Sequence, residues 1–335
     1  MNWKDKVVLV TGGTGSFGQK FVEIMLKNHK PKKLIVFSRD ELKQFQMRQR
    51  IQLEFGDSPL RYFIGDIRDK ERVYRAVDGV DVVVHASALK QIPSCEYNPF
   101  EAVKTNILGA QNIINAAIDK GVKKVIALST DKAVNPINLY GATKLAMEKL
   151  FIAGNAYVGA KPTCFSAVRY GNVVGSRGSV IPFFLSLIKK GTKELPITDE
   201  RMTRFWITLD QSVSLVLRAV EESVGGEIFT PRVPSMRIID LAKALEPNCK
   251  FRITGLRPGE KLHETLISEE EGRKTKILDK EVYVILPDFR WREGVYGKYE
   301  RLPSVPEGFI YRSDSNDKWL SSDELRKMVK ELKIE

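Results

Sequence analysis

Cysteine is scarce in this chain, and the three present, Cys95, Cys164 and Cys249, are far apart with no Cys-x-x-Cys pair. That spacing excludes a disulfide framework and a cysteine-based zinc site, so reduced thiols are expected. Histidine is equally sparse: His29, His85 and His263 are scattered and suggest no ligand set, so no metal is expected. No apolar run approaches the ~18 residues of a membrane span. The segment from Met1 to Lys6 leads straight into a strand pattern without an apolar signal core. These absences point to a cytoplasmic protein with no membrane partner. Internal repeats and low-complexity linkers are also missing.

Positive charge is in excess, with 54 Lys and Arg against 42 Asp and Glu and a net charge of +12. The basic residues are spread along the chain, and the densest groups, Lys30-Pro31-Lys32-Lys33 and Lys189-Lys190, are short. This reads as a solvated lysine-rich surface rather than a nucleic-acid patch, although its field would draw in small polyanions. Hydrophobic residues at 43% and charged residues at 29% are ordinary for a folded soluble protein, so disorder is not expected over most of the length. A chain of 335 residues can bury a large core as one elaborated domain or as two lobes.

The first half alternates strand and helix patterns. Strands are expected at Val7–Thr11, Leu34–Phe37, Arg61–Ile64, Val82–His85, Lys124–Leu128 and Thr163–Val168. Helical patterns lie between them, at Phe17–Lys27, Leu42–Leu53, Glu101–Lys120 and Tyr140–Ala156. Short apolar runs at this spacing predict an α/β fold, a doubly wound parallel sheet of the Rossmann type covered on both faces. Beyond about residue 170 the alternation fades, with helices expected near Ser212–Glu222, Ile238–Ala244 and Ser322–Leu332. The expected division is 1–170, to which later segments return, and a smaller α/β lobe over 171–335 lying across a shared cleft.

Between the first strand and first helix runs Thr11-Gly12-Gly13-Thr14-Gly15-Ser16-Phe17-Gly18. Glycines at 12, 15 and 18 permit a tight turn, close approach of a pyrophosphate to backbone amides, and close helix–strand packing, while the helix N-terminus favours negative charge. In this strand-to-helix position, Gly12, Thr14, Gly15, Ser16, Phe17 and Gly18 are read as a dinucleotide cradle. The second strand ends in Phe37-Ser38-Arg39-Asp40. Ser38, Arg39 and, one turn on, Lys43 suit a 2′-phosphate, so NADP is preferred; the alternative is that Asp40 takes the ribose of NAD. Asp66 and Ile67 are placed at the adenine edge, and Ala86, Ser87 and Ala88 under the pyrophosphate and ribose. His85 is expected to pack there.

The chemistry concentrates in Ser129-Thr130-Asp131-Lys132 and, shortly after, Tyr140-Gly141-Ala142-Thr143-Lys144. The first group falls at the carboxyl end of a strand, where open α/β sheets bind ligands. Tyr140 and Lys144 lie one helical turn apart on one face. A free tyrosine, with a pKa of about 10, is a poor base at neutral pH. Lys144, near the cofactor ribose, would stabilise its phenolate, so that Tyr140 takes a hydroxyl proton as hydride leaves for the nicotinamide. Asp131 and Lys132 are surplus to simple alcohol oxidation. An adjacent acid and base suit elimination of water beside a new ketone; the alternative is that Asp131 caps the following turn and Lys132 is solvated.

These residues resemble the extended short-chain dehydrogenase/reductase family, and within it the inverting UDP-N-acetylglucosamine 4,6-dehydratases that begin the pseudaminic acid pathway. The resemblance is carried by Phe37 to Lys43, His85 to Lys90, Ala127 to Lys144, Arg169 to Ser179, Met202 to Ile207, and Arg257-Pro258-Gly259-Glu260-Lys261-Leu262-His263-Glu264. It implies that Tyr140 removes the 4-hydroxyl proton, Thr130 bonds near the 4-oxygen, Lys132 takes the C5 proton and Asp131 assists loss of the 6-hydroxyl. Hydride then returns to C6 and C5 is reprotonated from the opposite face. Retaining glucose-type enzymes carry Asp-Glu in place of Asp131-Lys132, and membrane-bound relatives usually carry methionine in place of Tyr140. By the same resemblance, Lys90 lines the sugar pocket and also touches the cofactor. Asn172 and Arg177 lie over the nucleotide diphosphate, Arg204 and Arg257 bind phosphate, and Glu260 binds ribose or uracil. Thr198 joins this substrate set. The helices Glu101–Lys120 and Tyr140–Ala156 imply a homo-oligomer, a dimer or higher. A UDP-sugar 4-epimerase and a non-catalytic nucleotide- or nucleic-acid-binding module are the rival readings.

Overall fold

A computed structural model describes residues 1–192, 194–290 and 294–331. The chain opens with strand β1 (Val7–Thr11), helix α1 (Ser16–Ile24), β2 (Lys33–Ser38), α2 (Glu41–Phe55), β3 (Leu60–Ile64), α3 (Lys70–Ala76) and β4 (Val82–His85). It continues through the short helices α4 (Ile92–Tyr97) and α5 (Pro99–Val103), then α6 (Gly109–Lys120), β5 (Lys124–Thr130), α7 (Leu139–Gly154) and β6 (Cys164–Tyr170). Strands β1 to β6 lie in the spatial order 3-2-1-4-5-6, all parallel. Residues such as Val8, Val10, Val36, Val83, Val84 and Ile126 are fully buried, because helices cover both faces and each strand must be apolar on each side. The order reverses between β1 and β4. A crevice opens there at the carboxyl ends of the strands, which positions the site.

Residues beyond 171 return to this sheet. Ile228–Pro231 pairs parallel with β6, and Val282–Ile285 and Thr275–Ile277 then add an antiparallel edge. The expectation of a parallel sheet is therefore corrected at this edge, where short strands carry no βα alternation to read. A second core of Val174, Ile181, Phe184, Leu195, Trp206, Leu241 and Leu325 gathers residues of the remaining segments. Arg169 on β6 ties the halves of the chain together. It donates to both carboxylate oxygens of Glu148 on α7, at 3.0 and 2.7 Å, and to both of Glu271 at 2.8 Å.

The helices α3, α4 and Val180–Lys189, and the single turns Glu269–Gly272 and Gly297–Glu300, have no counterpart in the sequence reading; α3 and α4 are too short to show a period, and α4 opens on Ile92-Pro93. The helix read as continuous over Glu101–Lys120 is interrupted. Between α5 and α6 a wide π turn runs over Lys104–Leu108 and buries Thr105 and Asn106. The Asn106 amide accepts from the Leu89 N–H at 2.8 Å and donates to the Leu89 carbonyl at 2.9 Å and to Thr143 Oγ1 at 3.0 Å. Holding the loop after β4 requires that side chain on the inner face, and the extra residue in the turn puts it there. The terminal helix is Ser322–Glu331, and Leu332 lies outside the described residues.

Candidate active site

The crevice is a cleft of about 750 Å³. Its floor is the glycine turn. Gly12 has φ +63°, and a Cβ there would lie 3.1 Å from the Ala86 carbonyl, so the two strand-end loops touch only because this residue is glycine. A Cβ on Gly18 would sit 2.4 Å from Gly13 Cα, which fixes α1 hard against the turn. Gly15 caps α1 without a side-chain bond and the first turn holds no acid, so its amides are free to meet an anion.

All the predicted cofactor residues line this cleft: Gly12, Thr14, Gly15, Ser16, Phe17, Gly18, Ser38, Arg39, Lys43, Asp66, Ile67, Ala86, Ser87, Ala88, Lys90, Tyr140 and Lys144. Thr11 Oγ1 holds the loop after β4, accepting from Ala86 and Ser87 N–H at 3.1 and 3.2 Å and pairing with His85 Nδ1 at 2.9 Å. His85 stacks on Phe151 and is 1% exposed. Burial, with Lys144 adding to it, pushes its imidazolium down to about 3, so it is a neutral packing residue as expected. At the tip of β2, Asp40 lines the cleft beside Ser38 and Arg39 and caps α2. One carboxylate oxygen accepts the Lys43 N–H at 3.0 Å and the other pairs with Lys43 Nζ at 2.6 Å. Arg39 is exposed, 3.7 Å from Asp66.

The catalytic candidates meet on the other wall. Thr130, Asp131, Lys132, Tyr140 and Lys144 all line the cleft. Asp131 is fully buried; its Oδ1 accepts from Thr130 Oγ1 at 2.8 Å and from Lys132 Nζ at 3.1 Å, while Oδ2 has no partner. Lys132 also lies 3.1 Å from Glu264 Oε1. Burial alone would lower the Lys132 ammonium, but Asp131 and Glu264 together override it and hold it above the ordinary lysine value. Burial pushes the Tyr140 phenol up to about 12, against the pull of the Lys132 charge and a hydrogen bond with Thr130. Lys144 donates to the Leu128 carbonyl at 2.6 Å, and burial lowers it to about 8. The Lys132 charge acts on the Tyr140 phenol, while the Lys144 ammonium is bonded to the Leu128 carbonyl.

Gly141 makes this convergence possible. A Cβ there would lie 2.2 Å from the Lys132 carbonyl, so α7 meets the tetrad Ser129-Thr130-Asp131-Lys132 by backbone-to-backbone contact. Gly141→Ala is expected to destabilise by ~1–3 kcal/mol, as an overpacked site that backbone cannot relieve, and to weaken turnover. Denaturant melts of the two proteins check it.

The substrate set divides. Lys90, Thr130, Tyr140, Asn172 and Arg177 line the cleft, but Thr198, Arg204, Arg257 and Glu260 do not. Arg177 donates to the Thr14 carbonyl at 2.6 Å, and its N–H to Ser16 Oγ at 3.3 Å, so its loop closes over the glycine turn. Arg204 is buried with its donors on the carbonyls of Thr203, Leu262 and Lys261, and its Nε is 3.8 Å from Glu264. Glu260 is 3.9 Å from Arg204 and accepts the Arg257 N–H at 3.4 Å. Arg204 and this loop pack beside the Thr130-Asp131-Lys132 segment. The loop is docked on the tetrad by Lys261 Nζ to the Val134 carbonyl, 2.6 Å, and Asn138 Nδ2 to the Gly259 carbonyl, 2.8 Å. Glu264 is the residue without a role in the sequence reading; no local pattern shows that a loop so distant in the chain returns to Lys132.

A Rossmann sheet carrying this glycine cradle and a Thr-Asp-Lys and Tyr-x-x-x-Lys wall belongs to the extended short-chain dehydrogenase/reductases. Residues 8–286 match the family described as polysaccharide biosynthesis protein, and the chain belongs to that family. It is similar to the inverting UDP-N-acetylglucosamine 4,6-dehydratase of Campylobacter jejuni, 53% identical over 97% of each chain. A UDP-glucose 4-epimerase of Rickettsia akari is 43% identical, covering 97% of this chain and 95% of its own. Among solved structures, Pen from Bacillus thuringiensis is 38% identical, with a TM-score of 0.89 and full coverage of both chains.

Proposed function

We propose that the protein is an inverting UDP-N-acetylglucosamine 4,6-dehydratase using NADP. The observation that carries this reading is the Asp131–Lys132 pair at the cleft wall beside Tyr140, with Asp131 buried, one of its oxygens unpartnered, and Lys132 partly exposed. A nicotinamide dinucleotide fits the residues present. The cradle has no room for side chains at Gly12, and Thr105 Oγ1 and Ser129 Oγ are buried polar atoms without partners on residues that line the cleft. When bound, that cofactor supplies a reversible hydride acceptor.

The residues then act in sequence. Thr130 and Lys132 ease the Tyr140 oxygen toward the phenolate that accepts the 4-hydroxyl proton. The resting pair is an ammonium and a carboxylate, which are the wrong protonation states for a base and an acid. Passing one proton across 3.1 Å, from Lys132 Nζ to Asp131 Oδ1, produces both working forms with no change in net charge. Neutral Lys132 takes the C5 proton, acidified by the 4-ketone. Asp131 gives its proton to the departing 6-hydroxyl, and the two residues end as the ion pair in which they began. Reduction at C6 and protonation of C5 from the opposite face complete a 4-keto-6-deoxy sugar of inverted C5 configuration.

The preference for NADP rests on Ser38, Arg39 and Lys43 at the cleft, with the Asp40 carboxylate engaged by Lys43. Arg39→Ala is expected to weaken NADP relative to NAD by ~10-fold or more, as a lost charge-assisted phosphate contact; an unchanged preference in competitive binding would oppose the assignment. A homo-oligomer is part of this reading, supported by exposed Tyr97, Phe100 and Leu108 on and beside α4 and α5. So is a cytoplasmic location; no helix among the described residues is long and apolar enough to cross a membrane. The similarity to a 4-epimerase favours a second reading, in which Tyr140 chemistry alone interconverts C4 epimers. Mass spectrometry of the product separates the two: loss of one water supports the dehydratase, and an isomer of unchanged mass supports the epimerase.

A further inference from the structure

Glu264 is a buried carboxylate that the scheme above does not use. It is 1% exposed, and its placement is determined from several sides. Its N–H donates to Ser313 Oγ at 3.0 Å, its carbonyl accepts the Ser313 N–H at 2.9 Å, and Ser313 is bonded in turn to Thr203. Its side chain has one oxygen, Oε1, 3.1 Å from Lys132 Nζ and 3.8 Å from Arg204 Nε, and a second, Oε2, that is buried without a partner. A buried carboxylate is costly unless its charge is used. Arg204 alone could neutralise it, yet Arg204 directs its terminal donors to three carbonyls. The shorter contact is to Lys132.

We propose that Glu264 is a positioning residue that orients the Lys132 amine at the cleft and strengthens it as the base that removes the C5 proton. The inference rests on the dehydratase reading and deepens it. Once Lys132 has passed a proton to Asp131, the amine keeps two N–H bonds and one lone pair. An N–H donated to Glu264 Oε1 leaves that lone pair to be directed at substrate. As Lys132 takes the C5 proton it becomes a cation, while Asp131 is still losing its own proton to the 6-hydroxyl. Glu264 is the carboxylate that takes part in neither proton transfer and lies 3.1 Å from Nζ, so it faces the charge appearing there. In this step the C5–H bond breaks, its electron pair enters the C5–C6 region as the C6–O bond breaks, and a new N–H bond forms. The other charges acting on Lys132 are those of Asp131, Arg204, Lys90 and Lys261, with Tyr140 adjacent. Three of the four named charges are cations that weaken it as a base, and Glu264 offsets them.

The test compares two steps in one sample of the full-length protein with UDP-N-acetylglucosamine in deuterated water. Oxidation at C4 is read by trapping the 4-ketone with borodeuteride, and C5 proton removal by deuterium entry at C5 together with the isotope effect for C5-deuterated substrate. For Glu264→Gln, C5 removal is expected to fall ~10–100-fold with a larger isotope effect, and C4 oxidation to change little. Glu264→Asp, which keeps the charge and shortens the reach, is expected to recover part of the loss. If Glu264→Gln does not fold, Glu264→Asp alone must show the selective fall in C5 removal. Equal losses in both steps, or C5 removal at the wild-type rate, would overturn the proposal while leaving the dehydratase reading intact. A wild-type protein that releases no water from this substrate would overturn the reading itself.

Discussion

Lys132→Ala is expected to stop dehydration at the ketone: C4 oxidation slows, because a cation near Tyr140 is lost, but still proceeds, while deuterium entry at C5 and loss of water fall by a further ~10²–10⁴-fold, the usual contribution of a positioned general base. The expectation follows from geometry. Lys132 lines the cleft and is held against Asp131, so its loss removes the base together with the partner that sets the acid. Removing it also leaves Asp131 and Glu264 facing each other without the ammonium between them. One of them is then expected to bind a proton more readily, because like charges in a buried site disfavour joint ionisation. The folded state of the variant therefore binds more protons near neutral pH than its own unfolded state does, and its stability should fall as pH rises and that proton is lost. Thermal melts across pH, beside the trapping experiment, check both halves. Unchanged dehydration in this variant would remove lysine from the role of base.

Tyr140→Phe is expected to fail one step earlier. Without the phenol oxygen there is no acceptor for the 4-hydroxyl proton, so 4-ketone formation falls by ~10²–10⁴-fold. C5 exchange falls with it, because the C5 proton is acidic only beside that ketone. The two variants are thus separated by what accumulates: a trappable 4-keto, 6-hydroxy sugar for Lys132→Ala, and untouched substrate for Tyr140→Phe. The phenylalanine ring keeps the packing of Tyr140 against its buried neighbours Cys95 and Ala102, so the melting temperature should be close to wild type. A Tyr140→Phe protein that still forms the ketone would transfer the first proton to another group, with Lys144, which burial brings down to about 8, the nearest alternative along the same helix face.

Much of the fold was legible because it is written in local patterns. Fully apolar strands such as Val82–His85 and the glycines at 12, 15 and 18 each answer to a nearby steric or burial requirement, and the structure places them as read. The tetrad was legible for the same reason, since strand end, turn and helix are continuous in the chain. What escaped is what depends on distant segments meeting. The π turn at Lys104–Leu108 exists to bring Asn106 to Leu89, and nothing in the sequence near residue 104 records that partner. The loop from Arg257 to Glu264 was read as a phosphate and ribose contact; its docking through Gly259 and Lys261 onto the tetrad, and the arrival of Glu264 at Lys132, are tertiary facts. The spacing of Tyr140 and Lys144 places both side chains on one face without saying where the ammonium ends, which here is the Leu128 carbonyl.

The most direct test of the central claim is proton NMR of UDP-N-acetylglucosamine incubated with the protein in deuterated water. The account predicts a 4-keto-6-deoxy product carrying deuterium at C5, in the inverted configuration. UDP-N-acetylgalactosamine as the product, or an unchanged spectrum, would contradict it.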